Sequence, residues 1–248
     1  MKKSVFSFFL CLMLLASNVY AEVGQLKIGI STGYPPFYYF TADNQPTCIC
    51  IDIIDEVTSR MGIAVEYIRF PWKRMLQYGK SGEVDAVMPL FQTTEREQFL
   101  LFPAEALVIE ENRFFTAAAS PSDYTGKLEE ILDHSVGVID GYSYGQKFDS
   151  LTLKEKTVVM TQDQLIQLVL HQRVDYGIGN SKVIGFSAKQ MGKAEELRFL
   201  SPPVTAEPLF IGFSKKRMEP NFVARFSEAL REFKASVAYA EILQKYRL

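Results

Sequence analysis

Gly82-Glu83-Val84-Asp85-Ala86-Val87 and, ninety residues later, Gln172-Arg173-Val174-Asp175-Tyr176-Gly177 carry the reading of the fold. Each stretch ends a helical pattern and opens a buried strand, and two such units imply two lobes of similar architecture. Working outward from the first, residues 72–79 read as the helix and 84–88 as the strand it feeds. Upstream, residues 26–30 form a short strand. Residues 52–61 carry Ile53, Ile54, Val57 and Met61 at helical spacing and stop at Gly62, and 64–70 alternate as a strand. Around the second unit, 136–139 is a strand and 174–178 another. Between them, 161–173 is a helix opened by the capping box Thr161-x-x-Gln164, with Leu165, Leu168 and Val169 on one face. From Pro220 onward, Phe222, Phe226, Leu230, Phe233 and Val237 form the apolar stripe of one long amphipathic helix. Strands and helices that alternate throughout belong to open α/β sheets.

The 248 residues are 48% hydrophobic and 23% charged, which excludes disordered and fibrous classes. Residues 1–21 differ in kind: Lys2 and Lys3 precede an apolar run from Val5 to Ala16, and Val19-Tyr20-Ala21 leads to a cleavage point. That is the layout of a secretory signal; a membrane anchor needs about 20 apolar residues. Cys11 lies inside the apolar run after Leu10, which argues against a lipoprotein site. Cleavage leaves residues 22–248, with 25 basic against 29 acidic residues and no basic run. Such a chain has no electrostatic footprint for nucleic acid. The expected product is a soluble exported protein.

Motifs for catalysis are sparse: there is no Gly-x-Ser-x-Gly, phosphate loop or dinucleotide fingerprint, and no catalytic residue or cofactor is expected. His134 and His171 are the only histidines, and Cys48 and Cys50 lack metal-ligand spacing with them, so no metal is expected. On a strand the two cysteines would stand about 6.6 Å apart at Cα. Free thiols are the default reading, with a strained bridge the alternative in an exported chain.

Four places look like ligand contacts. Gly33-Tyr34-Pro35-Pro36-Phe37-Tyr38-Tyr39-Phe40 follows the first strand with more aromatics than a loop requires; Phe37 and Phe40 read as core and Tyr34 as the contact. Trp72, the single Trp, opens a helix after Pro71. In Thr93-Thr94-Glu95-Arg96 an N-capping Thr precedes a cation in the first helical turn, where it opposes the dipole unless an anion joins it. The alternative is a surface Arg96 paired with Glu95 or Glu97. In the second half, Gly137 to Gly145 runs from a strand into a glycine-bounded turn carrying Tyr142 and Ser143, at the sheet edge where α/β proteins bind ligands.

In order, Tyr34-Pro35-Pro36-Phe37, Asp52 after Cys48-Ile49-Cys50, Gly82-x-Val84-Asp85, Thr93-x-x-Arg96 with Phe102-Pro103, Gly137-Val138 with Gly141, and Val174-Asp175 resemble the bacterial extracellular solute-binding proteins of family 3. The resemblance spans nearly the whole exported chain. It implies a type II periplasmic-binding fold, two α/β lobes joined by two crossing strands with a ligand cleft between. The first lobe would be residues 22–113 plus 209–248, and the second 114–208. It also implies that Arg96 grips the ligand α-carboxylate and that Tyr34 packs on the ligand. The position from which a second-lobe aspartate meets the α-ammonium holds Asn180. Cys48 stands where glycine is usual, Tyr142 and Ser143 where threonines are common, and the interval from Asp85 to Arg96 is one residue short. The implied function is a non-enzymatic receptor that delivers a small carboxylate-bearing solute to an inner-membrane ABC permease. The alternatives are an exported dehydratase-like enzyme and a sensing module for a membrane partner.

Overall fold

The computed structural model describes residues 24–246; the secretory signal read over residues 1–21 lies outside them. The first lobe begins with β1 (Gln25–Ile30), the short hairpin β2 (Tyr39–Phe40) and β3 (Pro46–Thr47), and α1 (Ile49–Arg60). It continues through β4 (Ala64–Arg69), α2 (Trp72–Ser81), β5 (Ala86–Phe91), the single turn α3 (Thr94–Glu97) and β6 (Leu100–Leu101). The long strand β7 (Val108–Ala117) leads into the second lobe. There β8 (Ser135–Ile139), the one-turn α4 (Gln146–Asp149), β9 (Glu155–Val159), α5 (Gln162–Leu170), β10 (Tyr176–Asn180), α6 (Ser181–Gln190) and β11 (Leu197–Phe199) follow. The equally long β12 (Thr205–Ser214) returns to the first lobe, which α7 (Pro220–Lys234) and α8 (Val237–Tyr246) complete.

Strand order is β4-β1-β5-β12-β7-β10-β8-β9. β1 lies parallel to β4 and β5, and β8 parallel to β9 and β10, so each lobe has its own parallel sheet. The long strands stitch these together. β7 pairs with β12 from Val108 to Asn112 and with β10 from Asn112 to Phe115, while β12 continues from Leu209 to pair with β5. This is the type II periplasmic-binding fold.

Pleat alternation explains why β5 is buried along its whole length. Ala86 and Met88 face the cluster under α1 and α7, whereas Val87 faces Met75, Val84 and Leu100 on the α2 side. Each fully buried aliphatic side chain contributes roughly 1.5–3 kcal/mol. The second lobe has two further clusters, around Phe114 and Tyr176 and around Leu165 and Val169.

Two local expectations are corrected. The helix expected over 52–61 starts at Ile49, so Cys48 and Cys50 sit at a helix start and not on a strand; both are buried free thiols. Cys48, at φ 102°, holds a backbone conformation suited to glycine, which turns the chain sharply into α1. The long C-terminal helix is two helices. Phe222, Phe226, Leu230 and Phe233 are buried in α7, but the chain breaks after Lys234 and Val237 is 75% exposed at the start of α8.

Candidate functional site

The carboxyl end of β5 supplies the cation of the cleft. Beyond Phe91 the chain turns through Gln92 to Thr93, whose hydroxyl accepts the Arg96 backbone N–H at 3.3 Å. That cap throws the Arg96 side chain inward, where it is 6% exposed. Its guanidinium donates to the carbonyls of Phe91 (2.8 Å) and Gly141 (3.2 Å) and lies 5.5 Å from the Trp72 ring. Among the described residues no carboxylate lies within 4.0 Å of it. Glu95 and Glu97 point to solvent, and Glu97 takes a hydrogen bond from Gln92. Burial lowers the Arg96 pKa to about 10, with the nearby charges of Asp149, Glu95 and Glu110 opposing the drop, so the group stays charged at neutral pH.

Aromatic rings enclose this cation. Tyr34 stacks on Phe37 and meets Tyr142 edge-on at 6.1 Å; Trp72 lies 5.1 Å from Tyr142. The Trp72 indole N–H donates across the cleft to the Gly141 carbonyl at 2.9 Å. Gly141, at φ 73°, is required here twice over, because a Cβ would also meet Trp72 at 3.3 Å. Ser143 donates to Asp149 and borders the same space. Tyr34, Trp72, Arg96 and the adjacent Tyr142 and Ser143, drawn from four distant segments, thus surround one chamber of about 30 Å³. Arg96, Tyr142 and Ser143 also border a neighbouring groove of about 1210 Å³ that reaches Asp149 and Glu207.

Asn180 does not join them. It ends β10 and caps α6, its Oδ1 accepting the N–H groups of Lys182 (2.9 Å) and Val183 (3.1 Å). Both lone pairs of that oxygen are spent on the helix, so it offers no acceptor to a ligand ammonium. Two acidic residues of the second lobe also lie away from the chamber. Asp175 is bonded to Ser135, and Asp163 borders an outer surface depression with His171 and Met191.

The chamber also holds a residue that the sequence reading passed over. Glu110, on β7, is 4% exposed and accepts from the Tyr34 hydroxyl at 2.5 Å. Burial raises its pKa to about 7, opposed by the bonds from Tyr34 and Asn112 and by the charge of Arg96. Its signal lay in the alternation of β7: Val108, Glu110 and Asn112 point inward, while Ile109 is 62% exposed. A carboxylate on the inward register of a strand is costly without a purpose.

The profile of the bacterial extracellular solute-binding proteins, family 3, matches residues 26–248. The chain belongs to that family. The histidine-binding periplasmic protein of Escherichia coli K12 is 23% identical over 99% of this chain and 97% of its own. The lysine/arginine/ornithine-binding periplasmic protein of the same organism is 24% identical over 99% and 97%. Among solved structures, an ancestral arginine-binding protein bound to arginine superposes with a TM-score of 0.75 at 20% identity, over 91% of this chain and 99% of that one. Family 3 members of this kind are periplasmic amino acid binders. Among the described residues, no helix of this chain is long and apolar enough to cross a membrane.

Proposed function

We propose that this protein is a periplasmic receptor that closes its lobes on a small carboxylate-bearing solute, an amino acid or a derivative, and delivers it to an inner-membrane ABC permease without transforming it. One observation carries the reading: Arg96 is a buried cation at the cleft with no carboxylate partner among the described residues. A ligand carboxylate would complete its shell with a charge-assisted pair. The family membership and the names of the relatives support the solute class. In this reading the lobes divide at residues 22–113 and 114–208, with 209–248 returning to the first, and the receptor works as a monomer after removal of residues 1–21.

Lobe closure would pivot on β7 and β12, the two strands shared by both sheets. Among the described residues the contacts across the cleft include the hydrogen bonds of Trp72 and Arg96 to Gly141, Lys73 paired with Asp140 at 2.5 Å, and the Tyr142 ring against Tyr34 and Trp72. Opening would break these and expose the aromatic chamber. A thermal-shift screen of amino acids, opines, small organic acids and neutral sugars tests the proposal. A ligand at 100 times its dissociation constant should add about 2.7 kcal/mol. Stabilisation by neutral sugars alone would sink it.

A second reading, an exported enzyme on the same scaffold, has Glu110 in its favour, a cleft carboxyl with a pKa near neutrality suited to general acid–base work. Mass spectrometry of each stabilising ligand after prolonged incubation separates the two: a receptor returns it unchanged.

A further inference from the structure

The chamber has two charged ends. Arg96 and Glu110 both border it, both are more than nine-tenths buried, and neither has an ion-pair partner within 4.0 Å among the described residues. They are kept from collapsing onto each other by other anchors. The Phe91 and Gly141 carbonyls hold the guanidinium, and the Tyr34 hydroxyl holds the carboxylate. A buried cation and a buried ionisable carboxyl held apart complement a molecule that carries an anion and a cation a few ångströms apart, which would enter as the lobes open, the closed chamber of about 30 Å³ being no larger than a water or two need. Asn180 cannot serve the cation, its oxygen being committed to α6.

Resting on the receptor reading above, we infer that Glu110, on the crossing strand β7, is the specificity-determining partner of the ligand's cationic amine, so that the receptor selects zwitterions over simple carboxylates. Tyr34 then acts as a positioning residue, its hydroxyl turning the carboxylate of Glu110 toward the chamber.

A consequence is proton linkage. Glu110 is faced by Tyr34 from the loop after β1, Cys50 from α1, Arg96 from α3, and Tyr142 and Tyr144 from the turn after β8. Asn112 adjoins it on β7, and Glu207, its register partner on β12, is exposed. Burial pushes the three phenols and the Cys50 thiol upward, Tyr142 to about 12, and Arg96 stays charged, so Glu110 is the group among them that titrates between pH 5 and 8. An ammonium placed beside it favours the ionised form, so binding expels a proton. Affinity for zwitterions is then level above pH 7 and falls as pH drops below it, by up to about tenfold per unit.

The test is calorimetry of the full exported chain with the standard L-amino acids and, for each binder, its des-amino counterpart, at pH 5.5 to 8 and in buffers of different ionisation enthalpy. Wild type should bind an amino acid more tightly than its des-amino partner and release a proton near pH 7. Glu110→Gln, of the same shape, should lose about 30-fold or more for the amino acid, retain the des-amino acid, and show neither proton release nor the pH slope. Tyr34→Phe should move the pH midpoint upward, since it removes a bond that favours the ionised carboxylate. An unchanged preference and unchanged proton release in Glu110→Gln, with binding still abolished in Arg96→Ala, overturns the assignment and leaves the receptor reading standing. A wild type that prefers the des-amino acids also overturns it. A wild type that binds no carboxylate at all overturns the receptor reading, and this assignment with it.

Discussion

The two helix-to-strand units that share the Val-Asp pattern do the same work at one end and different work at the other. At the amino end of each strand, the aspartate reaches back to the neighbouring parallel strand. Asp85 accepts the backbone N–H of Lys27 on β1, and Asp175 that of Ser135 on β8, each at 2.9 Å. At the carboxyl end they part. After β5 the chain runs on through Gln92 and Thr93 to a single turn that buries Arg96. After β10 it enters α6 at once, and Asn180 is consumed as the cap. The shared unit ties each sheet together, and the residues beyond the strand decide whether a lobe contributes charge to the cleft.

The largest expected effect strikes the charged side of this comparison. Arg96→Ala should weaken ligand binding by on the order of 2–5 kcal/mol in calorimetry, and Arg96→Lys should recover little of it, because an ammonium cannot reproduce the guanidinium fork. Near-wild-type affinity in Arg96→Ala would erase the difference between the two strand ends.

The next effect concerns the charge that crosses between lobes. The Glu110 carboxyl has its pKa raised from 4.5 to about 7 by burial, so the folded protein binds the proton more tightly than the unfolded chain. Stability from this group is therefore full below pH 4.5, declines as pH rises to 7 and is level above. Glu110→Gln should be the more stable protein at pH 8 by on the order of 2–3 kcal/mol, the gap closing by pH 4.5. Urea denaturation at the two pH values measures it, and a gap that does not change with pH would contradict the burial.

The two aspartates should differ in degree. Asp85 is buried and also holds Arg217 at 2.9 Å, so Asp85→Ala should cost about 1–3 kcal/mol by stranding the Lys27 amide. Asp175 is about half exposed and Asp175→Ala should cost less. Partial burial pushes the Asp175 carboxyl up, but the bonds from Ser135 and His134 outweigh it and hold it below the usual range. Its stabilisation is present above about pH 4 and lost as pH falls through the depressed value. Equal destabilisation by the two alanines would mean that burial does not set the rank.

The smallest effect falls on the capping end. Asn180→Ala should cost about 1 kcal/mol of folding stability, while Asn180→Asp, an equally good cap, should be near neutral. Neither should change the rank order of ligands. A changed rank order in Asn180→Asp would return this residue to the pocket and make the two strand ends alike after all.

Much of this architecture was legible in local patterns. The repeated Val-Asp unit, the alternation of strand and helix, and the aromatic loop at Tyr34 each show in residue patterns only a few positions long, although the bonds they make reach distant strands, and the turn chemistry of Thr93 placed Arg96 correctly at a helix start. The start of α1 escaped because a cysteine occupies a backbone conformation that favours glycine. The break between α7 and α8 escaped because the apolar spacing continues on paper through a turn at Ala235 and Ser236.

By itself, then, the sequence determined the family, the two-lobed α/β plan and the residue types that gather at strand ends, because periodicity, capping and turn preference act within a few residues. Which of those residues share a chamber was decided only by the crossing of β7 and β12, which brings Tyr34, Trp72, Arg96 and Tyr142 together from four distant segments. The same crossing buries Glu110, an ordinary acidic residue in an acidic stretch of sequence, against the Tyr34 hydroxyl. Asn180 shows the converse: its position suited a ligand contact, but two unsatisfied amides at the start of α6 claimed its oxygen. Burial and hydrogen-bond demand are properties of the packed molecule, and they assign roles that residue identity leaves open.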